Sequence, residues 1–354
     1  MSLHTPSNSR LSGGRSLPKA FALGALFALA GSFGLAPGAH AQPIESESLD
    51  SPTAAATGEL AELEQLAQES FTQDDLETAV ALYRQLAGRH ESTGEKVRIL
   101  TTVAWLEHER GRAQSALETL TRVLVMQPEY SIRPDLYSDA FTALFYDAQK
   151  NALEEREAKA SRLVRAGAEQ LRERRYDEAR RSFQDALATW SEQPKAIYNL
   201  ALVDYYQSRD DEALGGFQKL LALASSRPDL VPASLQGLAL TNLGLLYLNQ
   251  NQPDEAGRVL EDAVRLTPSS GTAWSNLAIT RRRLGDPGGA ADAARKALDL
   301  APDDVGAHRS LALALLDADR PQEAAELLVR STRDFAEDGG LWLYSGLADR
   351  RLGR

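Results

Sequence analysis

His90, His108 and His308 are the residues in which acid–base or metal chemistry would first be sought. They lie in three separate stretches of the chain, and none has a partner at the three- or four-residue spacing that a helical zinc site requires. Two further histidines, His4 and His40, sit in an N-terminal segment expected to be removed. Cysteine is absent, which excludes disulfides, thiolate metal sites and a thiol nucleophile. The paired acids Asp210-Asp211 and Asp303-Asp304 stand at turns and helix starts, where compensating the helix dipole accounts for them. "GGAA" at residues 288–291 follows no strand and cannot form a phosphate-binding loop, and no EF-hand spacing occurs. No catalytic residue, no metal site and no cofactor is expected, so the chemistry must be that of a surface.

The elements that would carry such a surface follow from the periodicity. With Gly271 as position 1, Trp274, Leu277 and Ala278 fall at positions 4, 7 and 8, Gly285 at 15, Ala290 at 20, Ala297 at 27 and Pro302 at 32. Thirty-four residues upstream, the same places hold Leu240, Leu243, Gly244, Asn251, Ala256, Ala263 and Pro268; 34 residues downstream, they hold His308, Leu311, Ala312, Asp319, Ala324 and Ser331. The frame continues with small slips from Pro194, Ala160, Val97 and Leu60, after an insertion near "SSRPDLVPA" at residues 225–233. Positions 4, 7 and 11 line one stripe of a helix A and positions 20, 24 and 27 one stripe of a helix B. Gly or Ala at position 8 facing Ala at position 20 lets the two backbones approach closely. His308, at position 4, is read as a packing histidine.

This pattern of a large residue, Leu-Gly/Ala, Tyr, Ala and a closing Pro resembles the tetratricopeptide repeat. The resemblance covers nearly all of the chain after its N-terminal segment. It implies an all-α solenoid, a right-handed superhelix of antiparallel helix pairs, in which each repeat buries its apolar face only against its neighbours. Residues 59–130 hold repeats 1–2, and residues 160–354 hold repeats 3–7 plus a C-terminal capping helix. Residues 131–159, with Phe141, Phe145 and Tyr146 too bulky for close repeat packing, are either a connecting helix or a divergent repeat.

Arg10, Arg15 and Lys19, the apolar run Ala20–Ala36 and "AHA" at residues 39–41 together read as a signal peptide cleaved after Ala41, or an anchor if it is not cleaved. Residues 42–58, rich in Ser, Thr, Pro and acid, read as a disordered linker. The expected location is periplasmic or secreted. Cleavage would remove three positive charges from a net −11, leaving −14. Such a chain repels phosphates, so nucleic acid is not an expected partner. No later apolar run approaches a membrane span, so the mature chain is not expected to insert.

In tetratricopeptide arrays the concave face is built from helix A positions 2, 5, 6, 9, 12 and 13. Asn199, Asn242 and Asn276 all occupy position 6, where an amide can both donate and accept along an extended peptide. Beside them stand Tyr198, Tyr205, Tyr206, Leu245, Asn249, Arg282, Arg283 and Arg309, giving the column an aromatic end and a basic end; Tyr and Arg are residue types that often carry binding energy. The lysines of a carboxylate clamp are missing, since Leu238 and Thr272 hold position 2. The expected function is that of an exported adaptor or assembly factor of the bacterial envelope, binding an extended segment of another protein in its groove. The alternative is a permanent structural subunit of a protein- or polysaccharide-secretion machine.

Overall fold

The computed structural model describes residues 54–354. Every regular element among them is helical: fifteen α-helices and one 3₁₀ turn, with no strand. The signal-peptide segment and residues 42–53 of the linker lie outside the described residues. Ala54–Gly58, at the end of that linker, belong to the first helix, in keeping with the high helix propensity of the alanines at 54–56.

The helices form two compact units divided after Glu155. The N-terminal unit contains α1 (Ala54–Thr72), α2 (Leu76–Arg89), α3 (Thr93–Glu109), α4 (Ala113–Met126), the 3₁₀ turn Pro134–Leu136 and the first half of α5 (Asp139–Arg172). The C-terminal unit continues with the second half of α5, α6 (Tyr176–Thr189), α7 (Pro194–Tyr206), α8 (Asp210–Ser226), α9 (Ala233–Asn249), α10 (Pro253–Leu266), α11 (Gly271–Arg283), α12 (Pro287–Leu300), α13 (Val305–Asp317), α14 (Pro321–Asp334) and α15 (Gly339–Arg351).

The 34-residue frame is visible in the backbone itself. Position 15 is left-handed in every repeat and after α15: Asp74, Gly111, Arg174, Ser208, Asn251, Gly285, Asp319 and Gly353 all have φ between 56° and 78°. At each of these turns the amide at position 16 donates back to the carbonyl at position 11, as Gln252 does to Tyr247 (2.8 Å) and Asp286 to Arg281 (2.9 Å). This closes helix A with the six-residue bond of a Schellman turn. Arg174 and Ser208 hold a conformation that costs an L-residue about 1–2 kcal/mol, because the Schellman geometry demands it whatever side chain the sequence supplies.

Packing obeys the same frame. The position-20 alanines Ala79, Ala116, Ala179, Ala213, Ala256, Ala290 and Ala324 are all completely buried. A Cβ added at Gly167 would lie 2.6 Å from the Phe183 ring, and one at Gly244 2.4 Å from Leu260. The insertion before the Gly237 repeat is absorbed without disturbing this contact: α8 runs on to Ser226, α9 begins four residues before Gly237, and Val231 in the intervening loop is buried.

Segment 131–159 and the helix A expected from Ala160 are one continuous helix, α5. No proline or glycine interrupts residues 139–166, so nothing in the sequence stops it. Phe141, Phe145, Ala148 and Ala152 on its first half pack with Leu120 and Leu124 of α4. Ala160 and Val164 on its second half join the cluster of Phe183 and Ala186.

Candidate functional site

The A-helix positions singled out in the sequence belong to the C-terminal unit. Asn199 lies on α7, and its Nδ2 donates to the Lys195 carbonyl one turn back (2.8 Å). On α9, Asn242 Nδ2 donates to the Leu238 carbonyl (3.1 Å) and also across to Tyr198 Oη on α7 (2.9 Å). Both amides spend a donor within the chain, and no protein donor within hydrogen-bond range meets their Oδ1 oxygens among the described residues. They offer acceptors for a main-chain N–H. Asn276 differs: it is only 8% exposed, so it offers less surface than the other two.

The aromatic end is assembled from two helices. Tyr206, at the end of α7, stacks on Tyr176 of α6 (5.9 Å between ring centroids) and touches Tyr205 (5.7 Å). Tyr198 packs against Phe217 (5.7 Å), and burial pushes its phenol above the usual tyrosine range. Below these rings Asp204 is buried with Arg180 and Arg209 about it, and Gln207 reaches from Arg180 to Asp177. This network fixes the C-terminal end of α7 against α6. Asn249, the last residue of α9, is exposed.

The arginines of the basic end all have partners within the chain. Arg282 Nε is paired with Asp317 Oδ2 (2.7 Å), Arg283 Nη1 donates to the Leu248 carbonyl (2.7 Å), and Arg309 stands 3.5 Å from Asp338. Two rules of the repeat underlie the first two contacts. An arginine at position 13 (Arg283, Arg351) donates to the carbonyl at position 12 of the preceding repeat, Leu248 or Leu316, adding a side-chain donor to a helix-end acceptor that also receives the position-15 amide. Where position 13 is Asp317, it instead receives Arg282 from position 12 of the preceding repeat. Because a charge inside a pair is less available than a free one, the basic end is weaker than the sequence suggests.

An apolar ladder and a charge gradient compensate. Position 9 is aliphatic in five consecutive repeats: Leu202, Leu245, Ile279 and Leu313 are half-buried, and Leu347 is exposed. Beyond Leu245, the other members of this row are legible from the repeat spacing alone. Across α7, α9, α11, α13 and α15, Arg and Lys outnumber Asp and Glu seven to three, whereas across α8, α10, α12 and α14 twelve acids face seven bases. The A helices are therefore relatively positive in an acidic chain, which favours an acidic ligand on this side.

His308 acts in packing. His308 Nε2 lies 2.8 Å from the Pro302 carbonyl and so carries the proton, while Nδ1 meets Ser331 Oγ at 2.8 Å. At the same position 4, Trp274 and Trp342 donate to the Pro268 and Ala336 carbonyls (2.9 and 2.8 Å). Position 4 thus ties each helix A to the loop before it. Asp304, from one of the paired acids, caps α13 through the Gly306 amide (2.7 Å). Among the described residues no cluster of three or more His, Asp or Glu could hold a metal ion, and no helix is long and apolar enough to cross a membrane. In the N-terminal unit a cleft of about 580 Å³ lies between α4 and α5, lined by Leu117, Thr121, Val125, Asn151 and Glu155 among others.

Comparison with known proteins agrees with the geometry. One tetratricopeptide-repeat family model matches residues 164–228 and 241–305, and a second matches residues 305–330. No curated protein matches the chain. Among solved structures, a MamA fragment from Desulfovibrio magneticus RS-1 is 22% identical, covering 51% of this chain and 97% of that one with a TM-score of 0.44. YrrB, described as a TPR protein with an unusual peptide-binding site, is 19% identical (56% and 96% covered, TM-score 0.44), and pilF of Pseudomonas aeruginosa is 15% identical (72% and 98%, TM-score 0.46). With the repeats matched by family model between residues 164 and 330 and the same frame in the helix pairs around them, the chain carries tetratricopeptide repeats.

Proposed function

We propose that this chain is an exported adaptor or assembly factor of a bacterial envelope, and that the A-helix face of its C-terminal unit binds an extended segment of another protein. The observation that carries the reading is the pairing of two acceptors that no protein donor meets among the described residues, Asn199 and Asn242 Oδ1, with the aliphatic ladder at position 9. Main-chain N–H groups of a bound segment would meet the amides, its apolar side chains the ladder, and an acidic end the arginines of α11. Such an end would have to compete with Asp317 for Arg282, so its contribution to affinity is modest beside that of the apolar contacts.

Export is proposed from the basic, apolar and small-residue sequence of residues 10–41. Sequencing the N-terminus of the purified protein tests it: a chain beginning at Gln42 supports export and an intact Met1 refutes cleavage. Binding is tested by capture from envelope extract, comparing the parent with Asn199→Ala/Asn242→Ala and with Leu245→Glu/Ile279→Glu. Loss of a partner in both variants, each with an unchanged helical spectrum, supports the site. Retention of every partner by both refutes it.

A further inference from the structure

Helix B of a repeat has a side that looks toward the next repeat, and position 25 marks it. Arg84 reaches forward to Glu107 (2.8 Å), Gln218 to Tyr247 (3.4 Å), Glu261 to Arg281 (3.4 Å) and Arg295 to Glu323 (3.3 Å). In the second repeat position 25 is Thr121. Its hydroxyl donates within its own helix, to the Leu117 carbonyl (2.9 Å), and the residue lines the cleft between α4 and α5.

The cleft follows from the continuity of α5. The first half of α5 packs on both helices of the second repeat: Phe141, Phe145, Ala148 and Ala152 share a cluster with Ala104 of α3 and Leu120 of α4. That is the place of a following helix A. Elsewhere a helix A ends at the left-handed residue of position 15, and helix B turns back beside it. No residue between Asp139 and Arg172 has a positive φ, so α5 runs on and brings no helix B back onto α4. Leu117, Thr121, Val125 and Met126 are left half-buried, across the cleft from Asn151 and Glu155 of α5. The cleft is thus an unfilled helix seat, and its lining between residues 114 and 155 lies well inside the chain.

Shape and charge set what fits the seat. The missing element is a helix, and a floor of Leu117, Val125 and Met126 calls for an apolar stripe along it. Together α4 and residues 139–155 of α5 carry five acids (Glu118, Asp139, Asp147, Glu154 and Glu155) against two bases, Arg122 and Lys150. None of the five stands in an ion pair among the described residues; Glu118 receives the Gln114 amide (3.0 Å). By the 3.6-residue period, Asp147, Asn151, Glu154 and Glu155 share one side of α5, and Asp139 and Lys150 fall outside it. The cleft is therefore rimmed by four uncompensated carboxylates and a single arginine, which favours a cationic partner. We propose that it receives a basic amphipathic helix of another protein. The apolar stripe of that helix would lie on Leu117, Val125 and Met126, and lysines or arginines on its flanks would meet Glu118 and Glu155. The cleft belongs to the N-terminal unit and shares no residue with the A-helix face of the C-terminal unit.

The test is fluorescence anisotropy on the full chain purified as the cell makes it, with two labelled peptides of leucine and lysine as probes. One is an amphipathic helix of about 18 residues, long enough to hold its helix. The other has the same composition in strict alternation, the period of a strand. The expected result is saturable binding of the helical peptide with a Kd of roughly 1–100 µM. Glu118→Lys/Glu155→Lys, two exposed positions that leave the core untouched, should weaken it at least about tenfold. Thr121→Arg, which fills the cleft, should do the same, each variant keeping the parent's helical spectrum. Leu245→Glu/Ile279→Glu should leave this binding unchanged, so the cleft and the A-helix face are tested apart. Absence of saturation, equal binding of the two peptides, or binding indifferent to residues 118, 121 and 155 overturns the proposal. A parent chain that dimerises through the cleft, its dimer broken by Thr121→Arg, would seat a second copy there. Peptide binding that appears only once residues 1–53 are removed would seat a segment of the same chain. Either result equally overturns it.

Discussion

Gly244→Ala adds a single methyl group and tests one of the tightest helix contacts in the C-terminal unit. Its Cβ would lie 2.4 Å from Leu260 Cγ and 2.7 and 2.9 Å from the two δ-carbons. Leu260 is completely buried among Ala256 and Ala263, also completely buried, so the side chain has no free volume to enter. Overpacking of this kind costs about 1–3 kcal/mol, and a contact a full ångström too short belongs at the upper end. Replacing glycine by alanine inside a helix returns about 0.8–1.0 kcal/mol, leaving a net loss of about 2 kcal/mol. Gly257, on the paired helix α10, is the internal control: its added Cβ would make ordinary contacts of 3.5 and 3.6 Å with Leu284 and Thr280. Gly257→Ala should therefore stabilise by up to about 1 kcal/mol. Urea unfolding followed by circular dichroism measures both. Leu260→Ala in the Gly244→Ala background should cost less than in the parent, because it removes the clash. If Gly244→Ala is as stable as the parent, or the two changes at 244 and 260 simply add, the α9–α10 contact is looser than the geometry implies.

Relieving the left-handed strain at position 15 should also be measurable: Arg174→Gly and Ser208→Gly are expected to stabilise by up to about 1 kcal/mol in thermal melts, and Gly285→Ala to destabilise by about as much. Trp274→Phe keeps the ring but removes the Nε1 donor to Pro268, and should cost about 0.5–1.5 kcal/mol, with faster hydrogen exchange at the start of α11. Burial pushes the phenols of Tyr83 and Tyr137 to about 12. The unfolded chain would release these protons near pH 10 while the folded one holds them. Stability should thus be intact below pH 10 and fall as pH rises toward 12, and tyrosinate absorbance should appear together with unfolding.

The fold was legible because its determinants are local and repeated. Small residues at positions 8 and 20 and turn residues at position 15 are each dictated by one backbone contact that recurs every 34 residues. Even so, Arg174 and Ser208 carry no turn signature of their own, and only the frame assigns them a left-handed backbone. The continuity of α5 escaped a frame-based division because a repeat boundary is a packing boundary, whereas a helix ends only where a glycine, a proline or a cap ends it. At the candidate site the signals divided differently. Repeat position alone places Asn242 and Tyr206 on the A helices of their repeats. The burial of Asn276 and the pairing of Arg282 with Asp317 depend on which residues the neighbouring repeat places opposite, and that is a relation between two positions that neither one displays alone.

That relation bears on what the array can recognise. Within a repeat, the contacts at positions 8, 15 and 20 hardly vary in type, because two helices must meet at one distance. Between repeats, the joining contact varies: an amide on a phenol from α7 to α9, an arginine on a carbonyl between α9 and α11 and again between α13 and α15, and an arginine on a carboxylate from α11 to α13 and again from Arg309 to Asp338. These joining residues occupy positions 5, 6, 12 and 13, which are also positions of the face proposed to meet a bound segment. A bound segment therefore cannot engage the polar groups of this face independently of the junctions; its donors and acids compete with, or add to, contacts that already hold one repeat to the next. The position-9 ladder carries no such obligation, since its side chains have only apolar partners to lose. Affinity on this face should come chiefly from the ladder, with the junction residues deciding which segment is accepted.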